Sequence, residues 1–340
     1  MGPHILLALQ ALTNPATGFE QWQPGSWERV GDSLRASVVL RPKVAWRELV
    51  LSWNTGSTGK GSVTVLASAE HEQGWTKDYV MGEWGNATGA KRTSVNDQVD
   101  EDGKVLTDTL VLARAAGAVR VTLVAKGGGP RVEWVGASFR DPGAETPASE
   151  PNREAWGKVL EPPRLFQMDY PNGDKICSPT ALSMILGFWA RELGKPTLAS
   201  GVVETCQAVF DPGWDGTGNW SFNVAFAGSK PGLRALVTRL AGMSELEDWI
   251  ARGWPVACSV SNGLLRGKGF ADGNDGHLVV LVGFTAEGEP VFNDPGRSET
   301  RQTYRRSDFE AAWAKSGRTV YLVYPSLLRP PHPRFGNWPR

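Results

Sequence analysis

The chain has 340 residues, which is enough for two domains of ordinary size, each with its own core. Lys and Arg total 36 and Asp and Glu total 36, so the formal net charge is zero. Without an overall positive field, the sequence favours neither nucleic acid nor an anionic membrane surface as a partner. The apolar run from Ile5 to Leu12 is far shorter than the ~20 residues of a spanning helix, so no transmembrane segment is expected.

Residues 1–17 are interpreted as a leader or a disordered start. Their short apolar stretch has no Lys or Arg before it, which is atypical of a secretory signal peptide. The cellular location therefore stays open, with secretion or the cell envelope preferred to the cytoplasm.

Residues 18–140 predict an all-β domain. Five runs alternate apolar and polar residues over strand lengths, separated by clusters of Gly, Asn and Thr: 34–40, 48–53, 61–67, 107–112 and 118–124. Several short strands with turn signals are typical of a β-sandwich, which we expect to be jelly-roll-like.

Seven tryptophans fall in this first region: Trp22, Trp27, Trp46, Trp53, Trp75, Trp84 and Trp134. The preferred interpretation is that they fill the sandwich core, and the alternative is a sugar-stacking face. Trp75 and Trp84 are the better ligand candidates, because the glycines beside them indicate loops. A glycan or cell-wall ligand on this domain therefore stays open.

The stretch 141–157 begins with Pro and small polar residues, which indicates a linker. It leads to a second domain at 158–328, and residues 329–340 are expected to form a tail. All three cysteines, Cys177, Cys206 and Cys258, lie in the second domain, and three cannot form a full disulfide framework. Whether Cys206 and Cys258 pair stays open.

Cys177 stands directly before a predicted helix. Ser178 is a candidate N-cap, and Pro179 suits the first turn, where a missing N–H costs nothing. Apolar residues then recur at the spacing of one buried helical face: Leu182, Ile185, Leu186 and Trp189. The positive end of a helix favours a thiolate, so Cys177 is a candidate nucleophile. The alternative is a small, buried core thiol.

His277 opens an apolar run that predicts a strand, and Asp294 ends the next strand across a turn at 287–289. If these strands pair as a hairpin, both side chains lie at the same end of it. A cysteine nucleophile needs a base, and the base needs a third group that orients it. His277 is the only histidine between residues 72 and 331, which makes it the candidate base.

These residues resemble the papain-fold cysteine peptidases, in particular the branch similar to bacteriocin-processing double-glycine peptidases. The likeness covers about residues 160 to 325 and rests on the order Gln167, Cys177, His277, Asp294. It implies a papain-like second domain and no cofactor, so the whole chain is expected to be α+β, with the β-sandwich followed by that domain. It also implies that Gln167 donates its amide to the oxyanion. One departure is Ser178, where the leader-processing peptidases usually have glycine.

The stretch 211–223 predicts a loop rich in Gly, Asp and Trp, and loops of this kind often line a cleft. Trp214, Asn219 and Trp220 are the candidate substrate contacts, and the alternative is a surface loop fixed by its own tryptophans. The spacing of its aspartates does not match a calcium loop, so no metal is expected.

Three further elements are predicted along the second domain. Leu233, Leu236, Val237 and Leu240 indicate an amphipathic helix, and Ser244 with Glu247 forms a capping box for the next helix. The glycine-rich stretch 261–276 is a candidate lid over the site. A later pair, Ser307 with Glu310, is expected to cap a short helix, and residues 319–324 to form the last strand.

The sequence therefore predicts a thiol hydrolase that cleaves a peptide or other amide bond through an acyl-enzyme on Cys177. Two alternatives stay open. An acyl or peptidyl transferase would use the same residues with an amine as acceptor. A non-catalytic protein would bind a glycan or cell-wall polymer, with the second domain as a scaffold.

Overall fold

A computed structural model of the chain describes residues 16–56, 59–87, 89–145, 147, 149–270 and 275–340. The predicted leader lies outside these residues, apart from its last two. The strands are β1 (Thr17–Trp22), β2 (Glu28–Val30), β3 (Ser33–Leu40), β4 (Trp46–Thr55), β5 (Ser62–His71), β6 (Gly74–Trp75), β7 (Tyr79–Trp84), β8 (Gly103–Leu106), β9 (Thr109–Ala116), β10 (Ala118–Lys126), β11 (Val132–Arg140), β12 (Leu233–Arg239), β13 (Val256–Ser261), β14 (Gly276–Phe284), β15 (Pro290–Asn293), β16 (Arg301–Thr303) and β17 (Thr319–Pro325). The helices are α1 (Cys177–Glu192), α2 (Val202–Val209), α3 (Trp220–Gly228), α4 (Met243–Ala251), α5 (Asn262–Leu265) and α6 (Arg306–Ala314).

The N-terminal strands form two sheets that face each other. One has the order β1-β11-β4-β9-β8, and the other has the order β2-β3-β10-β5-β6 with β7 also on β5. The eight longest strands therefore pair as β1-β11-β4-β9 against β3-β10-β5-β7, which is the jelly-roll arrangement. Leu51 and Trp53 of the first sheet share a core with Val65 and Val121 of the second. The predicted all-β sandwich is confirmed.

Four of the seven N-terminal tryptophans are buried, three of them (Trp46, Trp53 and Trp84) in the sandwich core and Trp134 in the core of the second domain. Trp46, Trp53, Trp84 and Trp134 are at most 1% exposed. The loop assignment of Trp84 was wrong, because this residue ends β7 with its ring in the core. Trp75 lies half-buried in the short strand β6, where the guanidinium of Arg120 stacks over its ring at 4.1 Å.

The second domain is built on one antiparallel sheet with the order β12-β17-β13-β14-β15-β16. Helix α1 packs against β14 and β13, and its apolar residues Leu182, Ile185 and Leu186 are fully buried. The helix begins at Cys177, with Ile176 as N-cap. The predicted cap, Ser178, therefore lies inside the first turn.

The predicted amphipathic helix at Leu233 to Leu240 was wrong, because Leu233, Leu236 and Val237 lie in β12 and Leu240 directly follows it. The strand pairs with β17 and is buried along nearly its whole length. A strand covered on both faces has no polar alternation, so its apolar spacing imitates one face of a helix.

Both predicted capping boxes were also wrong. Ser244 lies inside α4, whose N-cap is Gly242, and the carboxylate of Glu245 accepts from the N–H of Ala241 at 2.7 Å. Ser307 likewise lies inside α6, whose N-cap is Arg305. The two helices themselves are present, since their apolar faces and not their caps decide where they form.

The stretches before and after the second domain pack on α4. Asn152 donates to Glu247 and Asp248 at 2.7 and 2.8 Å. From the C-terminal side, Arg334 forms an ion pair with Asp248 at 2.6 Å, and Asn337 donates to Glu245 at 2.8 Å. The acidic side chains of one helix therefore hold both chain segments.

Side chains of the N-terminal sheet cover the free edge of β12. Asn54 of β4 both donates to and accepts from the main chain of Ala235, at 2.7 and 3.0 Å. The neighbouring side chains continue the pattern at alternate residues: Ser52 accepts from Val237 N at 2.8 Å, and Ser138 of β11 accepts from Arg239 N at 3.2 Å. We call these contacts the interdomain seam.

In the part of the chain described here, no helix has the length and apolar character required to cross a bilayer.

Candidate active site

Cys177 is the first residue of α1, where backbone N–H groups lack partners within the helix. Burial acts to raise the pKa of its thiol. A hydrogen bond with His277 and the charge of that ring act in the opposite direction, helped by the backbone at Leu278 and Ser178. Together these effects hold the thiol pKa below its ordinary value, so the site favours the thiolate.

His277 is the second residue of β14 and is 5% exposed. Its Nε2 lies 2.7 Å from Oδ1 of Asp294, which leaves Nδ1 for Cys177. Burial acts to lower the imidazole pKa, but the hydrogen bonds and charges of Asp294 and Cys177 raise it to about 10. Asp294 and Cys177 therefore both favour the protonated, cationic form of the ring.

Asp294 follows β15 and is fully buried. Its Oδ1 also accepts from Gly296 N at 2.8 Å, and Oδ2 accepts from the hydroxyl of Tyr304 at 2.6 Å. Burial acts to raise the carboxyl pKa, and these partners, led by His277, lower it to about 2. The predicted hairpin is present, since β14 pairs with β15 and brings His277 and Asp294 to the same end.

Gly296 lies directly against the imidazole. A Cβ at this position would stand 3.1 Å from Cε1 and 3.2 Å from Nε2 of His277. The absence of a side chain here therefore lets the loop after Asp294 close over the ring.

Gln167 is 6% exposed and lies in a short 3-10 turn, Gln167–Asp169. Its backbone N–H donates to Pro295 O at 2.9 Å, which ties this turn to the residue after Asp294. The side-chain amide donates to Gly173 O at 2.5 Å and keeps a second N–H.

Cys177, His277 and Asp294 are thus in sequential contact, and Gln167 joins them through its backbone bond to Pro295, the residue after Asp294. Tyr304 and Gly296, which sequence reasoning missed, complete the surroundings of Asp294. No local pattern marks Tyr304, because it follows a different strand and reaches Asp294 only when β15 and β16 pair. The arrangement can generate a thiolate beside a protonated imidazole, which is what nucleophilic attack on a carbonyl requires.

The three candidate substrate contacts differ in exposure. Trp214 is 49% exposed and Trp220 is half-buried. Asn219 is fully buried and caps α3, accepting from Phe222 N at 3.1 Å, while its amide donates to Asp211 at 2.9 Å. Asn219 is therefore corrected to a structural residue, because neither end of its side chain is available to a substrate.

The stretch proposed as a lid is only partly described, since residues 271–274 lie outside the described chain. Its two ends are tied together next to the site. Asn262 N donates to Asp275 O at 2.8 Å, and Gly263 N donates to the Asp275 carboxylate at 2.7 Å. These bonds fix the entry into β14 two residues before His277.

Cys206 and Cys258 are free thiols, as is Cys177. Burial raises the thiol pKa of Cys206 to about 11 and that of Cys258 well above its ordinary value. Of the three cysteines, Cys177 alone has a lowered pKa.

The sequence matches two family models. Residues 159–321 match the Peptidase_C39 like family, and residues 6–139 match the Peptidase C39 N-terminal domain. No curated protein matches the sequence. Among solved structures, a Bacillus anthracis protein described as a C39-like peptidase shares 19% identity over 51% of this chain and 98% of its own. The TM-score between the two structures is 0.39.

Proposed function

Because this chain belongs to the C39-like peptidase family, we propose that it is a thiol-dependent hydrolase that cleaves a peptide or other amide bond through an acyl-enzyme on Cys177. The observation that carries the proposal is the contact of Cys177 with His277, in which the thiol pKa is lowered and the imidazole pKa is raised.

In the proposed reaction the Cys177 thiolate attacks the carbonyl carbon of the scissile amide. Protonated His277 gives its proton to the leaving nitrogen as the C–N bond breaks, which leaves a thioester on Cys177. Neutral His277 then takes a proton from water, and the resulting attack on the thioester releases the acid and the thiolate. Asp294 keeps the ring oriented through the 2.7 Å contact throughout.

The developing oxyanion needs two donors beside the nucleophile. The backbone N–H of Cys177 belongs to the first turn of α1, where it has no helical partner. The second N–H of the Gln167 amide is the other candidate donor. Both roles, like those of His277 and Asp294, are part of the proposal.

Activity-based labelling tests this function. A peptidyl chloromethyl ketone incubated with the whole protein near neutral pH is expected to form one adduct, which peptide mass spectrometry assigns to Cys177. Cys177→Ala should abolish the adduct, and His277→Ala should slow its formation. Faster labelling of Cys206 or Cys258 in the native protein, or full turnover by Cys177→Ala, would overturn the proposal.

The acceptor separates hydrolysis from transfer. Once a peptide substrate is found, the products formed with and without an added amine should be the same free acid if water is the acceptor. An amide product that replaces the acid at millimolar amine would favour the transferase alternative.

A further inference from the structure

We propose that the N-terminal domain takes part in substrate selection, because it holds the half-exposed Trp214 in a loop that contacts the segment leading into Cys177. This inference rests on the proposed function and adds to it a specificity-determining residue, Trp214, and a positioning residue in the other domain, Asn96. The substrate class that fits is a peptide with a bulky apolar or aromatic side chain near the scissile bond.

The loop that carries Trp214 is closed on itself. Asp211 N donates to Gly216 O at 2.8 Å, and Gly216 N donates back to Asp211 O at 3.2 Å. Asp215, at the turn, has a φ of 54°, which lies in the left-handed region. These bonds make residues 211–216 a tight turn with Trp214 at its tip.

The indole ring is fixed even though it is half exposed. It lies over Gly216 and Gly218, where any Cβ would stand 2.6 and 2.9 Å from ring atoms. The two glycines therefore leave room for the ring and hold one face of it, while 49% of the residue stays open to solvent. A rigid aromatic surface loses little conformational entropy when it binds a ligand.

On one side, the loop contacts the segment that leads into Cys177. The hydroxyl of Thr217 donates to Lys175 O at 3.1 Å, two residues before the nucleophile. The other end of the loop caps α3 through Asn219. The ring of Trp214 is therefore connected to the cysteine helix by a short series of fixed contacts.

On the other side, the loop is held by the N-terminal domain. Asn96 donates from Nδ2 to Gly213 O at 2.5 Å, and Ser94 N donates to the Asp211 carboxylate at 2.8 Å. A Cβ on Gly213 would stand 2.4 Å from Ser94 O, so the two backbones meet without room for a side chain. The jelly roll thus sets the position of the turn that presents Trp214.

The test compares peptide electrophiles with a reagent that has no side chain. Tripeptidyl chloromethyl ketones carry either glycine throughout or a single phenylalanine at one of the three positions, and iodoacetamide reports the reactivity of the thiolate alone. The readout is the ratio of the Cys177 labelling rates for the phenylalanine and glycine probes. An aromatic contact of ~0.5–1.5 kcal/mol corresponds to a preference of about two- to tenfold.

We expect the native protein to prefer phenylalanine at one position, and Trp214→Ala to abolish that preference while the iodoacetamide rate stays unchanged. Asn96→Ala should reduce the preference in the same way. Gln98→Ala is the matched control, because this amide of the same segment bonds to Val80 and Val95 within the N-terminal domain. Its thermal unfolding midpoint should fall at least as much as that of Asn96→Ala, because its side chain forms three hydrogen bonds against one, while the preference stays intact.

The labelling rates distinguish failure of this inference from failure of the proposed function. No preference for phenylalanine at any position, or a preference that survives Trp214→Ala, would overturn the inference and leave the hydrolase proposal standing. A loss in Trp214→Ala but not in Asn96→Ala would overturn the role of the N-terminal domain. Absence of labelling at Cys177 by all the reagents would overturn the proposed function and this inference with it.

Discussion

Cys177 and His277 shift each other's pKa in opposite directions, because each stabilises the charged form of the other. We therefore expect iodoacetamide to label Cys177 with a pH transition below the ordinary thiol value of ~8.5, followed by a plateau that extends toward pH 10. A single transition at ~8.5 would contradict the ion pair. In His277→Ala only burial remains as a large effect, and the transition should move above ~8.5.

The same pKa shifts predict how stability depends on pH. The carboxyl pKa of Asp294 is about 2 in the folded protein against ~3.9 in an unfolded chain. The stability that Asp294 contributes is therefore fully present above ~3.9 and is lost as pH falls toward 2. The imidazole pKa of His277 is raised to about 10 against ~6.5, so its contribution is present below ~6.5 and lost as pH rises through 10.

Asp294→Asn removes the carboxylate charge and therefore tests the pH range in which the Asp294–His277 pair stabilises the fold. The melting temperature of the native protein should exceed that of the variant most clearly between about pH 4 and 6.5, where both contributions are complete. The gap should narrow toward pH 2 and toward pH 10. A gap that stays constant from pH 2 to 10 would show that the pair does not titrate as described.

Tyr304 is a positioning residue for Asp294, because its hydroxyl holds Oδ2 at 2.6 Å while Oδ1 faces His277. Tyr304→Phe keeps the ring beside Phe292 and removes a hydrogen bond to a charged group, worth ~1.5–3 kcal/mol. We expect the thiolate transition of Cys177 to move toward ~8.5, with a lower kcat and an unchanged KM.

A matched control is Tyr324→Phe, which removes another buried phenol hydroxyl from a ring that packs against Trp249 and Trp254. If both variants lose stability but neither moves the pH profile, Tyr304 acts only on the fold.

At this scale, sequence reasoning found the residues whose chemistry is unusual for their position. A cysteine before a helix and an isolated histidine before a strand are visible in the chain order, and Cys177 and His277 do meet. Asn219 was misjudged because the same polar side chain serves as well for capping a helix as for binding a substrate. Tyr304 was invisible, because only strand pairing brings it to Asp294.

Strands could be predicted from the sequence where one face of the strand stays polar. They could not be predicted where both faces are covered. The alternating N-terminal runs correspond to β3, β4, β5, β9 and β10, whereas β12 was taken for a helix. Its misassignment follows from its place between the N-terminal sheet and β17, which removes the polar side that would have revealed a strand.

The first turn of α1 is joined to β17 by one hydrogen bond, between the hydroxyls of Ser178 and Tyr321 at 2.9 Å. Both groups are buried, so Ser178→Ala should cost ~1–3 kcal/mol by leaving the Tyr321 hydroxyl without its partner. Tyr321→Phe should cost about the same.

The double variant should lose clearly less than the sum of the two single variants, because removing both partners leaves no unpaired group. Urea unfolding measures the three values. Strict additivity would mean that the bond contributes nothing to the position of α1.

At the scale of the whole molecule, the interdomain seam protects a sheet edge. Strand β12 is an edge strand, and Ser52, Asn54 and Ser138 cover its main chain. An uncovered edge strand is a template for pairing with another chain. We expect residues 158–328, expressed alone, to self-associate at concentrations at which the full chain does not, as measured by light scattering after size-exclusion chromatography.

The fragment carrying Val237→Pro provides the control. The Val237 N–H points to Ser52 in the full chain, so its loss removes an edge donor. This variant should associate less than the unmodified fragment. Equal association of the two fragments would show that a surface other than β12 is responsible.

The seam also governs which positions are free to vary during evolution. Its contacts reach the main chain at 235, 237 and 239, which every residue except proline provides in the same form, so those positions can change among strand-forming residues at little cost to the seam. The constraint falls instead on 52, 54 and 138, where a small side chain must offer an oxygen. Relatives with both domains are therefore expected to retain Ser, Thr or Asn there, and relatives without the N-terminal domain to protect the same edge with charge or proline.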